Sequence, residues 1–419
     1  VSGNFFSLIG AFLEWVIVPL LGICLLNCLF NMRLLMRVRP PTSTPGDRAR
    51  LNLSVLVPAR NEERRIRQCL ASLIAQEPAA SEIILLNDRS TDGTARIARE
   101  LGFCEEPGSR LRLIQGQELP EGWVGKNWAC HQLGQAANPE SSHLLFTDAD
   151  TIHGDGCLQG ALDHSHATRA DLLSIWPDQI TGTWSEKLVI PLGYLLFMAF
   201  QPFPLLSLLQ SRPERAARWG FSRSRLASMG AANGQFLLFR SAAYHTLGGH
   251  EALKDHLVED IAFGRRVASR TGEGMRLINA DGIGILKCRM YSGFEELWEG
   301  FSKNLRPVFE ESTMGFLFFG FMVSSLFLLP FLALVLALPL SVGYGHELVL
   351  VSLKGVMLII AMRLLLTLRF RTSWLGFAAH PFAMVLALLI AMNSWRLCRI
   401  KGVRWKGRVY TGTTRSSLD

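Results

Sequence analysis

The 419-residue sequence holds no C-x-x-C pair; its eight cysteines are scattered, and Cys24 and Cys28 sit inside an apolar run. That excludes a disulfide framework and a zinc site of the usual spacing, and it suits a reducing cytosolic face. Outside 212–225, a basic stretch that suits lipid headgroups, no basic run with interleaved aromatics occurs between the apolar ends. Nucleic acid is therefore not the expected partner, although the net charge is +8 and the pI about 9.2. Basicity of this kind fits anionic lipid headgroups or phosphorylated substrates. No small-residue cleavage site follows the apolar N-terminal run, which is also longer than the core of a secretory signal.

What is present is apolar. Hydrophobic residues make up 49% of the chain and the mean hydropathy is +0.23, so membrane segments are expected. Residues 5–31 carry one charge, Glu14, and Arg33, Arg37 and Arg39 follow at once. This predicts a transmembrane helix with its carboxyl end in the cytoplasm. A polar, proline-bearing linker covers 40–50. Near the other end, 315–340 and 376–395 read as spans, whereas 348–368 contains Lys354 and Arg363, which are costly in hydrocarbon. Either those charges face protein or the segment lies at the interface. The second choice returns the basic tail (Arg396, Arg399, Lys401, Arg404, Lys406, Arg408) to the cytoplasm and gives three spans. Residues 188–209, interrupted by Pro191, Pro202 and Pro204 and followed by the basic stretch 212–225, read as an interfacial segment. The domain plan is a membrane helix with a basic flank over 1–39, a catalytic domain over 51–309 with the interfacial segment 184–225, membrane segments over 315–398, and a basic tail over 399–419.

Between the membrane segments, short apolar runs at 51–57, 83–87, 111–114, 144–147 and 172–175 alternate with helical patterns at 62–75, 91–101, 127–137 and 156–169. Such alternation implies βαβ units and an α/β fold with a mostly parallel sheet. A further strand is expected at 234–240, with helices at 241–249 and 257–270. Three strand ends carry chemistry. His143-Leu-Leu-Phe-Thr-Asp-Ala-Asp-Thr151 runs from apolar residues into Asp148 and Asp150. Residues two apart in an extended chain point the same way, so both carboxylates can reach one bound object at the carboxyl end of a strand. Paired hard oxygens suit Mg2+ or Mn2+, which takes further ligands from substrate phosphates. Pro58-Ala-Arg-Asn-Glu62 ends the first strand, and Asn87-Asp-Arg-Ser-Thr-Asp-Gly-Thr94 ends the second. Asp88 could accept from a base or ribose, while Ser90, Thr91 and Asp92 also suit plain helix capping. Glu259 and Asp260 likewise suit the first turn of a helix on charge alone.

Taken together, Pro58–Glu62, Asp88–Thr94, Asp148-Ala-Asp150 and Glu259-Asp260 resemble the family 2 glycosyltransferases of GT-A fold, over roughly 51–309. The resemblance implies a nucleotide-binding α/β domain, a UDP-sugar donor, a divalent metal and inversion at the anomeric carbon. It places Pro58, Ala59, Arg60 and Glu62 around the uridine, Asp88 on the base, Asp148 on ribose and metal, and Asp150 on metal. Asp260 becomes the base for the acceptor. Asn87 departs from the family, where an acid is common.

Gly122-Trp-Val-Gly-Lys-Asn127, Asn233-Gly-Gln-Phe236, Val258-Glu-Asp260 and Trp298-Glu-Gly-Phe-Ser-Lys-Asn304 are more specifically similar to membrane-bound lipid glycosyltransferases of the carotenoid and hopanoid type. That implies Lys126 as a cation for the donor diphosphate. It also implies sugar or acceptor contacts from Trp123, Gly234, Gln235, Glu259, Trp298 and Lys303. The Q-x-x-R-W signature of processive synthases is absent, which points to addition of one sugar. The expected protein is an integral membrane enzyme whose catalytic domain faces the cytoplasm at the plasma membrane. Its expected substrates are a UDP-sugar, glucose foremost, and a carotenoid or other isoprenoid alcohol. Ceramide, diacylglycerol or polyprenyl phosphate are alternative acceptors. A non-catalytic nucleotide-binding membrane protein and a metal-dependent phosphohydrolase are the readings from other classes.

Overall fold

The structure, a computed structural model, describes residues 2–41, 50–310, 312–340, 345–400, 403–405 and 408–410. Most of the linker and of the basic tail, Ser417 included, lie outside the described residues. The chain divides into two compact units: Val1–Leu34, Thr181–Pro204 and Tyr291–Val403 form a helical unit, and Leu35–Ile180, Leu205–Met290 and Arg404–Asp419 form an α/β unit.

Among the described residues, ten strands build the two larger sheets of the α/β unit: β1 (Leu51–Ala59), β2 (Ala80–Asn87), β3 (Leu111–Gln115), β4 (His143–Thr147), β5 (Thr151–His153), β6 (Leu172–Trp176), β7 (Asp178–Gln179), β8 (Phe236–Arg240), β9 (Leu277–Asp281) and β10 (Leu286–Cys288). Seven make one sheet in the order β3-β2-β1-β4-β8-β6-β9, and β5-β10-β7 make a small second sheet. The large sheet is parallel except at β8, which runs antiparallel to both of its neighbours. This is the mostly parallel α/β sheet that the apolar runs predict. The runs are continuous rather than alternating because both faces are covered. Val55 and Val57 of β1 pack into one core with Ile83 and Leu85 of β2 and Leu145 of β4. Leu56, Ile84, Leu86, Leu144 and Phe146 pack into the core on the opposite face.

The helices Ile66–Ile74, Thr94–Glu100, Gly125–Ala136 and Cys157–Thr168 stand where the periodicity puts helices; the first two lose about a turn at the start, the third begins earlier than expected and the fourth nearly matches. Because β1, β2 and β4 are parallel, the Pro58–Glu62, Asn87–Thr94 and Asp148–Asp150 segments leave the same edge of the sheet. The four extra strands β5, β7, β9 and β10 are short and carry polar residues, and no apolar run announces them.

Among the described residues, three helices of the helical unit are long and apolar enough to cross a membrane: Phe6–Leu34, His346–Phe370 and His380–Arg399. Two further pairs are bent, Trp184–Phe200 with Phe203–Ser211 by 52° and Thr313–Phe327 with Leu329–Ala337 by 43°. The first bend falls where Pro202 and Pro204 prevent the helix from continuing. The carbonyls left open there are met from the N-terminal helix. Asn31 Nδ2 donates to Met198 O at 2.8 Å and Gln201 O at 2.7 Å, and Asn27 Nδ2 donates to Ala199 O at 3.0 Å.

Two sequence expectations concern these helices. The helix over 346–370 is itself of spanning length, and the charges that set it at the interface have partners. Lys354 Nζ lies 2.9 Å from Glu14 Oε1. Arg363 is buried and donates to Pro191 O and Gly376 O. Charges met in this way do not forbid a span. The expected span at 315–340 is the pair bent at Leu328.

Candidate active site

The first two strand-end segments lock together before they can hold anything else. Asp88 N donates to Ala59 O at 2.8 Å, and Arg60 Nη1 donates to Asp88 O at 2.7 Å. Glu62 N donates to Thr94 Oγ1 at 2.8 Å and Thr91 N to Asn61 Oδ1 at 2.9 Å. Asn61 adopts φ of 54°, a conformation that asparagine tolerates. Asp88 is buried at the bottom of this cradle. Asn87 has its own reason: its Nδ2 donates to Gln115 Oε1 at 2.8 Å, which a carboxylate could not do.

The third segment meets Lys126. The helix Gly125–Ala136 starts beside the loop that precedes Glu259, and three hydrogen bonds fix it there. Val124 N donates to Lys254 O at 2.7 Å, and the buried Asn127 Nδ2 donates to Leu253 O and, at 2.9 Å, to His256 O. Lys126 Nζ consequently lies 2.7 Å from Asp148 Oδ1 and 2.8 Å from Glu259 Oε1. Burial would lower the ammonium's pKa, but the Asp148 and Glu259 carboxylates outweigh it and raise it well above the ordinary lysine value. Glu259 is nearly fully buried; burial alone would raise its pKa, yet Lys126 holds it below the ordinary value.

Asp260, next along, points to the start of β8. Gly234 N donates to its Oδ2 at 2.8 Å. A Cβ at Gly234 would stand 3.0 Å from that oxygen, so glycine is what lets the backbone approach. Burial and the neighbouring Glu259 push Asp260 up to about 6.

Asp150 lies on the other side of Asp148. Burial, then Asp148 and Glu62, push its carboxyl up to about 7. Its Oδ1 is buried without a hydrogen-bond partner. A crowded pair of carboxylates with an orphaned oxygen fits a divalent cation. Among the described residues no group of three or more His, Cys, Asp and Glu could hold a metal by itself. The donor set therefore matches an ion that completes its shell with water and phosphate.

The other expected contacts have neighbours of their own. Gln235 is buried, accepting from Gln179 Nε2 at 2.7 Å and donating to Cys288 Sγ at 3.0 Å. Trp123 packs against Trp128 and His131, with ring centroids 5.0 and 4.9 Å away. Trp298 and Lys303 belong to the helix Phe294–Asn304 of the helical unit. The Lys126–Glu259 pair is what sequence reasoning missed, because nothing in either local motif points to the other.

Residues 54–201 match the family described as Glycosyl transferase family 2. This chain carries a family 2 glycosyltransferase domain. Its relatives include the 4,4'-diaponeurosporenoate glycosyltransferase of Staphylococcus aureus strain USA300, 26% identical over 379 residues that cover 86% of this chain and 88% of the relative. The strain MRSA252 protein of the same description is 27% identical over 372 residues. This glycosyltransferase is thus related to a carotenoid glycosyltransferase. Among solved structures, the Pyrobaculum calidifontis mannosyltransferase PcManGT in complex with GDP-Man and Mn2+ aligns with 93% of this chain and 99% of its own. The identity there is 15% and the TM-score 0.48. Glucosyl-3-phosphoglycerate synthase from Mycobacterium tuberculosis aligns with 67% of this chain and 88% of its own, at 19% identity and a TM-score of 0.39.

Proposed function

We propose that this glycosyltransferase moves one sugar, with inversion, from a UDP-sugar such as UDP-glucose to the hydroxyl of a carotenoid or other isoprenoid lipid at the cytoplasmic face of the membrane. The observation that carries this reading is the row Asp148–Lys126–Glu259–Asp260. It joins a metal-type carboxylate, a cation and a carboxylate that binds protons near neutrality. Pro58, Ala59, Arg60, Glu62 and Asp88 form the cradle for uridine. Asp148 and Asp150 would hold Mg2+ or Mn2+, which when bound neutralises charge on the departing diphosphate. Lys126 adds a fixed positive charge at the same place. Asp260 takes the acceptor's proton as the hydroxyl attacks. The membrane location rests on the apolar helices, and the cytoplasmic side on Arg33, Arg37 and Arg39 after the first of them.

The test is transfer from radiolabelled UDP-glucose to extracted membrane lipids, comparing wild type with Asp260→Asn. The variant is expected to bind UDP normally while turnover falls by roughly 10²- to 10⁴-fold, the scale of a lost general base. Near-normal turnover with an alcohol acceptor would remove Asp260 from the reaction. A second reading follows from the relatives' name, diaponeurosporenoate, which denotes a carboxylate. A carboxylate acceptor has no proton to give at pH 7. Asp260→Asn would then spare transfer to an isoprenoid acid and impair transfer to the matching alcohol.

A further inference from the structure

Lys126 stands between two carboxylates, and both cannot keep it once a donor arrives. Asp148 is one of the pair that fits a metal, so a metal–diphosphate complex would draw its oxygens away from the ammonium. Glu259 has no such competing duty. It is nearly fully buried, it points back from the first turn of the helix Glu259–Ser269, and its Oε1 is 2.8 Å from Nζ. The stitching on either side of Lys126, from Val124 N and Asn127 Nδ2 to the carbonyls of Leu253, Lys254 and His256, keeps the two residues opposed whatever Asp148 does.

We propose that Glu259 is a positioning residue for the donor, holding Lys126 where a nucleoside diphosphate's phosphates bind and touching neither substrate itself. This rests on the donor reading above and deepens it. A long lysine side chain left with only Asp148 would follow that carboxylate or swing into water, at the entropic cost of re-ordering it for each donor. Anchored by a buried carboxylate, it is aimed before the donor binds. Asp260 follows Glu259 directly, so the residue that aims the donor cation and the residue that faces the acceptor share one helical turn.

The experiment is calorimetric binding of UDP with Mn2+ to the full-length protein in detergent, for wild type, Lys126→Met, Glu259→Gln, Glu259→Asp and the Lys126→Met/Glu259→Gln double variant. Glu259→Gln is expected to raise the dissociation constant by about ten- to a hundredfold, the scale of one hydrogen bond to a charged group. The double variant is expected to bind as Lys126→Met does, because the two act as one unit. Glu259→Asp, which keeps the charge on a shorter arm, should fall between Glu259→Gln and wild type. In turnover assays the donor KM should rise while the acceptor KM stays. A merely structural role would lower the number of binding sites per protein and leave the dissociation constant of the remainder unchanged; that result overturns the proposal, as does multiplication of the two single effects in the double variant. If wild type itself fails to bind UDP with Mn2+, the donor reading falls and this proposal with it. Normal wild-type binding with unweakened Glu259→Gln sinks this proposal alone.

Discussion

Asp260 can be followed by two measurements that move in opposite directions. As a base it must be ionised, so with an alcohol acceptor turnover should fall as pH drops through about 6. For stability, its folded-state pKa of about 6 lies above the ordinary 3.8. The native protein thus holds this proton more tightly than the unfolded chain does. That contribution is fully present below about pH 4 and is lost as pH rises through 6. Asp260→Asn should accordingly melt above wild type at pH 8, with the gap closing towards pH 4; equal melting temperatures at pH 8 would contradict the burial argument. Asp150 gives the metal prediction. EDTA should abolish transfer and Mn2+ or Mg2+ restore it, and Asp150→Asn should weaken UDP binding only when metal is present. Full activity of Asp150→Asn would remove it from the metal site.

Among elements, two close approaches invite substitution. Gly234→Ala would place a Cβ 3.0 Å from Asp260 Oδ2, so the carboxylate must shift. The shift needed is a few tenths of an ångström, so turnover is expected to drop severalfold, with little change in melting temperature. In the helical unit, Pro191 has no N–H for Lys187 O, and Gly376 packs onto that carbonyl: a Cβ there would stand 2.2 Å from it. Gly376→Ala should cost about 1–3 kcal/mol, read as a lower melting temperature in detergent. What was legible in the sequence follows the same division. β1, β2 and β4 could be read because strands covered on both faces need unbroken apolar runs. Leu277–Asp281 could not, since only part of it is buried and it ends on Asn279, Ala280 and Asp281. Asp148, Asp150 and Asp260 could be picked out from local motifs. That Lys126 touches Glu259, or that the Gly234 amide serves Asp260, depends on elements brought together from distant parts of the chain. Gln235 looked available in sequence, and only the fold shows its side chain bound to Gln179 and Cys288.

For the whole molecule, the open matter is which segments cross the bilayer. With 346–370 and 380–399 both of spanning length, the bent pair over 313–337 decides the side of the tail. If that pair crosses, the tail with the six basic residues from Arg396 to Arg408 ends outside, against the positive-inside rule. If it dips in and returns, the tail is cytoplasmic and only Arg369 and Arg371 sit outside. The charge balance favours the second arrangement, whereas the Lys354–Glu14 pair, which sets the start of 346–370 beside the N-terminal half of the first helix, favours the first. In a cysteine-free background, reaction of Thr372→Cys with a membrane-impermeant thiol reagent in intact cells, with Ser417→Cys unreactive, is the pattern expected of the second. The reverse pattern would mean that the bent pair crosses.

Asn27 and Asn31 bear on how this protein can be handled in the laboratory. The first helix has the appearance of a detachable anchor, and removing it is the obvious route to a water-soluble preparation. Yet its two amides are what occupy the carbonyls of Met198, Ala199 and Gln201. A chain shortened from the front would leave three bare acceptors beside Pro202 without the donors that meet them in the intact protein. Such a preparation should aggregate or lose the segment over 184–211. A full-length protein carrying Asn27→Ala and Asn31→Ala should show the same fault with its anchor still in place.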